Sequence, residues 1–127
     1  MSVLVVGLSH RTTPVPVLEK VALTGDDLRK LLDELHRSET ISEVLVLSTC
    51  NRVEVYADVA RFHQGETEIR SILARHAGLP VNDLSDHFYL HFAEGAAEHM
   101  FSVASGLDSM VVGEAQILGQ LRTAYAN

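Results

Sequence analysis

Apolar residues along the chain follow two spacings, which predict alternating strands and helices. Val3–His10 and Glu43–Thr49 are short runs of branched apolar residues, typical of strands buried on both faces. Residues 52–59 alternate strictly, which predicts a strand with one face in solvent. Its apolar side would be Val53, Val55, Ala57 and Val59, and its exposed side Arg52, Glu54, Tyr56 and Asp58. A fourth strand is predicted at His87–Phe92.

In most of the remaining chain, apolar residues recur at the spacing of a helix. A short helix is expected at Val17–Leu23, and a longer one over residues 24–38. Residues 64–77 form a third helical segment that ends at Gly78. The stretch from Glu94 to Asn127 predicts two helices joined around residues 106–113. The apolar faces of the second and third helices are formed by Leu28, Leu31, Leu32, Leu35, Ile69, Ile72 and Leu73.

The order of these elements is β-α-β-β-α-β followed by helices. This order predicts an α+β fold of the ferredoxin-like kind, an antiparallel sheet with helices on one face and additional C-terminal helices. A mass of 13.9 kDa fits a single domain over residues 1–127. Because the chain ends inside a helical pattern at Asn127, we expect it to be a piece of a longer protein.

Composition and charge exclude several classes of protein. Ten basic and 17 acidic residues give a net charge of −7, which argues against a broad basic face that coats nucleic acid but permits a local contact with an RNA end. The N-terminus resembles neither a signal peptide nor a membrane span, so we expect a cytoplasmic protein without a membrane partner. His87 and His91 are four residues apart on a predicted strand, where a solvated sheet face is more plausible than a metal site.

Cys50, the only cysteine, is the first candidate for chemistry. It lies between two predicted strands, where a hairpin tip would present a side chain rigidly. Cysteine is often a small buried hydrophobe, whereas Thr49, Asn51 and Arg52 beside it are polar and favour a surface position. The residues alone leave a packing role and a reactive role both open.

Two further candidates lie in the C-terminal quarter of the chain. His99 borders the apolar stripe of its predicted helix, where a histidine is more often a spectator than a base. Gln116 and Gln120 share a helix face, which is also compatible with simple solvation. Gly119 interrupts the same helix and suggests a close approach by another backbone or a ligand.

Three segments of this chain resemble the glutamyl-tRNA reductase family. They are GLSHRTTPVPVLEKVAL (Gly7–Leu23), VLSTCNRVEVYA (Val46–Ala57) and GLDSMVVGEAQILGQ (Gly106–Gln120). The resemblance runs from the first strand to the last predicted helix. It implies an enzyme of tetrapyrrole biosynthesis that converts glutamyl-tRNA to glutamate-1-semialdehyde.

The resemblance also implies roles for individual residues. Cys50 of the motif S-T-C-N-R would attack the ester carbonyl of tRNA-bound glutamate and form a thioester, which NADPH then reduces. His99 matches the family's functional histidine, which assists proton transfer or orients the ester. Arg52 would clamp a glutamate carboxylate. The other residues implied to bind substrate are Thr49, Asn51, Ser109, Glu114, Ala115, Gln116 and Gln120.

Two departures from the family qualify this interpretation. Ala115 stands where many relatives carry proline or glutamine. The NADPH domain and the helical dimerisation domain of the family are absent, so we expect this chain to form the thioester without reducing it. The resemblance further implies a homodimeric full-length protein, with the aminomutase that takes up the semialdehyde as a possible partner.

Two other functions are compatible with parts of the pattern. A ferredoxin-like regulatory or small-molecule-binding module would use Cys50 only for packing. A general RNA-binding domain is disfavoured by the negative charge and by the lack of interleaved aromatic and basic residues.

Overall fold

The computed structural model describes residues 2–23, 25–49, 51–104 and 110–113. Strands and helices alternate along these ranges, as the apolar spacing predicts. Their bounds are β1 Ser2–Ser9, α1 Val15–Val21, α2 Asp26–His36, β2 Ile41–Ser48, β3 Arg52–Val59, α3 Phe62–Ala77, α4 Val81–Leu84, β4 Tyr89–Phe92, α5 Glu94–Ala104 and β5 Met110–Gly113. The short helix α4 was not predicted, and β4 begins two residues later than expected.

The strands form one antiparallel sheet in the order β4-β1-β3-β2-β5. The predicted α+β class and antiparallel sheet are therefore confirmed. A strand at residues 110–113 was not predicted; Met110–Gly113 pairs with the outer edge of β2. The helix predicted after it lies outside the described residues. Consecutive valines favour a strand, and the edge of β2 offers unpaired backbone groups to it.

One face of the sheet carries the larger apolar core. Leu4, Val6 and Leu8 of β1 are buried there beneath helices α1 to α4. The predicted leucine stripe of α2 packs on this face, with Leu31 and Leu35 fully buried. Helix α3 ends at Gly78, whose positive φ of 70° suits glycine and gives the predicted stop.

Helix α3 approaches β3 closely at Gly65. A Cβ atom at this position would lie 2.6 Å from Cγ1 of Val59 and 2.8 Å from its Cβ. These distances are far shorter than an ordinary carbon contact. Glycine at position 65 therefore sets how near the helix comes to the sheet.

Helix α5 covers the opposite face of the sheet, where it forms a smaller core. Ala96, Ala97 and Met100 pack there against Val5 and Tyr56. This helix is one of the predicted additional C-terminal helices, to which the sequence assigned no face of the sheet. The predicted solvent exposure of β3 was wrong, because Glu54, Tyr56 and Asp58 are fully buried. Alternation shows which side chains share a face, but it does not reveal whether a second layer covers that face.

Candidate functional site

The hairpin between β2 and β3 is fixed by hydrogen bonds on both sides of position 50. The Thr49 backbone N–H donates to the Arg52 carbonyl oxygen over 2.8 Å. The Thr49 hydroxyl oxygen accepts the backbone N–H groups of Asn51 at 3.0 Å and Arg52 at 3.1 Å. Cys50 itself lies outside the described residues. Its chain neighbours are nevertheless held in a tight turn by the Thr49 side chain.

The segment after β1 lies beside this hairpin. The backbone N–H of His10 donates to the Asn51 carbonyl oxygen over 2.9 Å. Within the segment, the hydroxyl oxygen of Thr12 accepts the Ser9 backbone N–H at 3.2 Å. Two of the three segments that resemble the reductase family therefore meet at the hairpin.

The carboxylate of Glu54 is the centre of a buried polar cluster on the α5 side of the sheet. Its Oε1 accepts the Tyr56 hydroxyl over 2.8 Å. Its Oε2 is hydrogen-bonded to the Tyr89 hydroxyl and to Nε2 of His99, and it lies 3.4 Å from Nη1 of Arg52. The Glu54 side chain is 0% exposed, whereas the His99 side chain is 21% exposed. A buried anion thus supports a histidine that solvent can still reach.

Gly7 makes the contact between Tyr89 and Glu54 possible. In the sheet register Gly7 pairs with Glu54 on β3 and with Tyr89 on β4, so it separates the two residues. A Cβ atom on Gly7 would lie 2.7 Å from Cε1 and Cζ of Tyr89 and 2.8 Å from its hydroxyl oxygen. Because glycine has no side chain, the Tyr89 ring can cross β1 and donate to Glu54.

The cluster keeps Glu54 ionised despite its burial. Burial alone would raise the pKa of Glu54, but the hydrogen bonds from His99 and Tyr89, the charge of His99 and the hydrogen bond from Tyr56 lower it below the ordinary value. Burial, followed by the charge of Glu54, raises the pKa of both Tyr56 and Tyr89 above the ordinary value. Both phenols therefore stay protonated and donate to a carboxylate at neutral pH.

The ring of His99 is also held by aromatic neighbours from β4. The His91 ring stacks on it with centroids 4.5 Å apart and planes 24° apart. The Tyr89 ring lies at a centroid distance of 5.3 Å. Burial, together with the neighbouring His99 charge, lowers the pKa of His91, and Glu54 partly opposes this shift. His91 therefore stays neutral more readily than a free histidine does.

Sequence reasoning selected some members of this site and missed others. Arg52 and His99 meet at the same oxygen of Glu54, and Thr49 and Asn51 form the adjoining hairpin. The remaining predicted residues lie outside the described part of the chain; they are Cys50, Ser109, Glu114, Ala115, Gln116 and Gln120. The residues missed were Gly7, Glu54, Tyr56, Tyr89 and His91. Two of them could have been found from the sequence, because Glu54 and Tyr56 lie on the same face of their strand as Arg52.

His87 and His91, which are four residues apart in the sequence, have different neighbours in the structure. His91 stacks on His99, while Nδ1 of His87 lies 2.9 Å from the Thr12 carbonyl oxygen, so the two histidines do not share a partner. Among the described residues, no group of three or more His, Cys, Asp or Glu side chains is arranged to hold a metal ion. No helix in this part of the chain is long and apolar enough to cross a membrane.

Comparison with known proteins identifies the family. A family model described as glutamyl-tRNAGlu reductase, N-terminal domain, matches residues 6–127. Curated proteins named glutamyl-tRNA reductase from Streptomyces avermitilis and Thermobifida fusca are each 53% identical, over 99% and 98% of this chain. The chain spans only 22% and 26% of their lengths.

A solved structure agrees with the sequence comparison. The structure of glutamyl-tRNA reductase from Methanopyrus kandleri matches with a TM-score of 0.57 and 30% identity. The match covers 98% of this chain and 27% of that one. This chain therefore belongs to the glutamyl-tRNA reductase family and corresponds to its N-terminal domain.

Proposed function

We propose that this chain performs the acyl-transfer step of a glutamyl-tRNA reductase, with Cys50 as the nucleophile. The observation that carries the proposal is the meeting of Arg52 and His99 at Glu54, beside the hairpin in whose sequence Cys50 stands. A charged clamp, a proton-transfer group and a cysteine nucleophile form the set of groups that thiol acyl transfer requires.

The proposed step exchanges one acyl bond for another. The Cys50 sulfur attacks the carbonyl carbon of the glutamyl ester, and a C–S bond forms. The C–O bond to the terminal ribose of the tRNA breaks. The thiol proton passes through His99 to the departing ribose oxygen, so free tRNA and a glutamyl thioester are the products. No oxidant or reductant is consumed at this stage.

The surroundings of Arg52 favour a carboxylate substrate. Its side chain is 16% exposed, and its contact with Glu54 is long at 3.4 Å. Its Nε is buried and has no hydrogen-bond partner within the described residues. A guanidinium with unused donors binds a carboxylate well, and we assign it to the side-chain carboxylate of the glutamyl group. Further contacts to this group are assigned to Thr49, Asn51, Ser109, Glu114, Ala115, Gln116 and Gln120.

Reduction of the thioester by NADPH belongs to the proposed activity of the whole protein, but this chain does not fit the cofactor. The sequence lacks the G-x-G-x-x-G turn that binds a dinucleotide. Helix α2 follows a glycine, yet it begins with Asp26 and Asp27, which repel phosphate. The chain by itself therefore stops at the thioester, which water then hydrolyses.

Several wider properties are proposed with this activity. The whole protein would be a cytoplasmic oxidoreductase of tetrapyrrole biosynthesis that acts on glutamyl-tRNA as a homodimer and passes glutamate-1-semialdehyde to an aminomutase. We also infer that the order β4-β1-β3-β2 represents a ferredoxin-like core to which β5 is added.

The acyl-transfer step is tested with glutamyl-tRNA carrying labelled glutamate. The native chain should acquire a protein-bound label that survives ribonuclease and is released by hydroxylamine. The Cys50→Ser variant should acquire no hydroxylamine-labile thioester, and circular dichroism should show that it is folded. If the folded native chain stays unlabelled, the proposal fails and Cys50 is a structural residue. Equal labelling of both proteins would show that another residue accepts the acyl group.

A further inference from the structure

We infer that Glu54 is a positioning residue that holds the proton of His99 on Nε2 and leaves Nδ1 to exchange protons with the thiol and the departing ribose oxygen. The inference rests on the proposed function, since His99 acts there as the proton-transfer group. It adds a residue that the sequence pattern had placed in solvent.

The hydrogen-bond geometry favours this arrangement of the His99 proton. Nε2 of His99 is hydrogen-bonded to Oε2 of Glu54, and an ionised carboxylate can only accept. Nε2 must therefore be the protonated nitrogen of the neutral ring. Within the described residues, His99 forms no hydrogen bond through Nδ1. In the neutral form of the ring, this nitrogen has the lone pair that takes up a proton.

The two oxygens of Glu54 have different partners. Oε2 orients His99, whereas Oε1 accepts a hydrogen bond that stabilises the carboxylate. Oε2 faces His99, Tyr89 and Arg52, whereas Oε1 accepts only the Tyr56 hydroxyl among these groups. The hydroxyl groups of Tyr56 and Tyr89 stabilise the ionised carboxylate by donating hydrogen bonds to it. Because both phenols are uncharged, the carboxylate keeps its full negative charge. The carboxylate can therefore stabilise the imidazolium that forms when His99 takes up a proton.

Rotation of the His99 ring is restricted from a second direction. His91 stacks on the ring at a centroid distance of 4.5 Å, and Tyr89 packs at 5.3 Å. A ring flip would break the bond to Glu54, whose side chain is completely buried. Within the described part of the chain, the ionisable groups of this cluster are Glu54, Arg52, Tyr56, Tyr89 and His91, and their contacts define one ring orientation.

Glu54→Gln and Tyr56→Phe form a matched pair for the test. Each variant keeps the shape of its side chain, but Glu54→Gln removes the anion beside Nε2, while Tyr56→Phe removes only a donor to the other oxygen. Proton–nitrogen NMR of the 127-residue chain should detect a protected proton on Nε2 of His99 in the native protein and in Tyr56→Phe. In Glu54→Gln this signal should vanish through exchange with water.

Single-turnover labelling provides the functional measurement. Glu54→Gln should slow thioester formation at saturating glutamyl-tRNA by about 10²-fold, the lower end of a general acid–base contribution. The tRNA concentration at half-maximal rate should stay unchanged, and Tyr56→Phe should slow the step less than about 5-fold, which is about 1 kcal/mol of activation free energy.

Each result tests either the positioning role of Glu54 alone or that role together with the acyl-transfer proposal. Equal rates for Glu54→Gln and the native chain would overturn the positioning role while leaving the acyl-transfer proposal intact. Failure of the native chain to form any thioester would overturn both. If Glu54→Gln does not fold, the native NMR spectrum decides, because a proton on Nδ1 with none on Nε2 contradicts the inference.

Discussion

Replacement of Gly7 by alanine should disconnect Tyr89 from the buried carboxylate. The added Cβ would lie 2.7 Å from Cε1 and Cζ of Tyr89 and 2.8 Å from its hydroxyl oxygen. Carbon atoms at ordinary contact are about 3.5–4.0 Å apart, so the ring must move by about 1 Å. Since the Tyr89 hydroxyl donates to Glu54, a displacement of this size breaks that hydrogen bond.

The free energy of unfolding should fall by about 0.5–2.5 kcal/mol. A hydrogen bond to a charged group contributes about 1.5–3 kcal/mol. Alanine in a strand interior raises the free energy of unfolding by about 0.5–1 kcal/mol relative to glycine, because it loses less backbone freedom on folding. The difference is a net loss, even though alanine is the better strand residue.

Urea unfolding of a double-mutant cycle measures this loss and identifies its cause. In the Tyr89→Phe background the hydrogen bond is already missing and the ring is free to shift. Gly7→Ala should therefore lower stability there by less than about 0.5 kcal/mol, with an unchanged dependence on urea. An equal loss in both backgrounds would refute the idea that Gly7 acts through the Tyr89–Glu54 contact.

Two further predictions concern packing and pH. Gly65→Ala should lower the free energy of unfolding in urea by about 1–3 kcal/mol, because its Cβ would lie 2.8 Å from Cβ of Val59, which the backbone of β3 holds in place. The control Gly95→Ala, whose Cβ would lie an ordinary 3.7 Å from Cβ of His91, should lose no stability; equal losses in both variants would contradict this reasoning. Although burial opposes it, hydrogen bonding lowers the pKa of Glu54 below the ordinary 4.5, so its contribution to stability is complete above that pH and is lost as the pH falls through the folded-state pKa. Unfolding free energies measured from pH 7 to pH 3 should therefore fall more steeply for the native chain than for Glu54→Gln, and parallel curves would contradict the lowered pKa.

Features fixed by nearby residues could be predicted from the sequence. The leucine stripe of α2 and the stop at Gly78 depend on spacing and on one backbone conformation, and the structure has both. Strands β1 and β2 were predicted from branched apolar runs. In each of these cases the determining interactions lie within about one turn or one strand.

Features that depend on distant segments could not be predicted in this way. Glu54 occupies a polar position of an alternating strand, and the same pattern would occur if that face were in water. Its burial is caused by α5, which begins forty residues later in the sequence. The pairing of Met110–Gly113 with β2 also joins distant segments. The spacing of apolar residues within one segment does not show which distant segment pairs with it or covers it.

The two faces of the sheet therefore carry different parts of the proposed activity. The face under α1 to α4 is almost wholly apolar, so substitutions there should change stability first. The face under α5 holds a buried carboxylate, which is tolerated because Tyr56, Tyr89 and His99 each hydrogen-bond to it. His99 is 21% exposed and can reach a substrate, while its partner Glu54 is completely buried. A fully buried carboxylate behind a partly exposed imidazole fixes the orientation of that ring before substrate arrives, which is what a rapid proton transfer to or from a thiol requires.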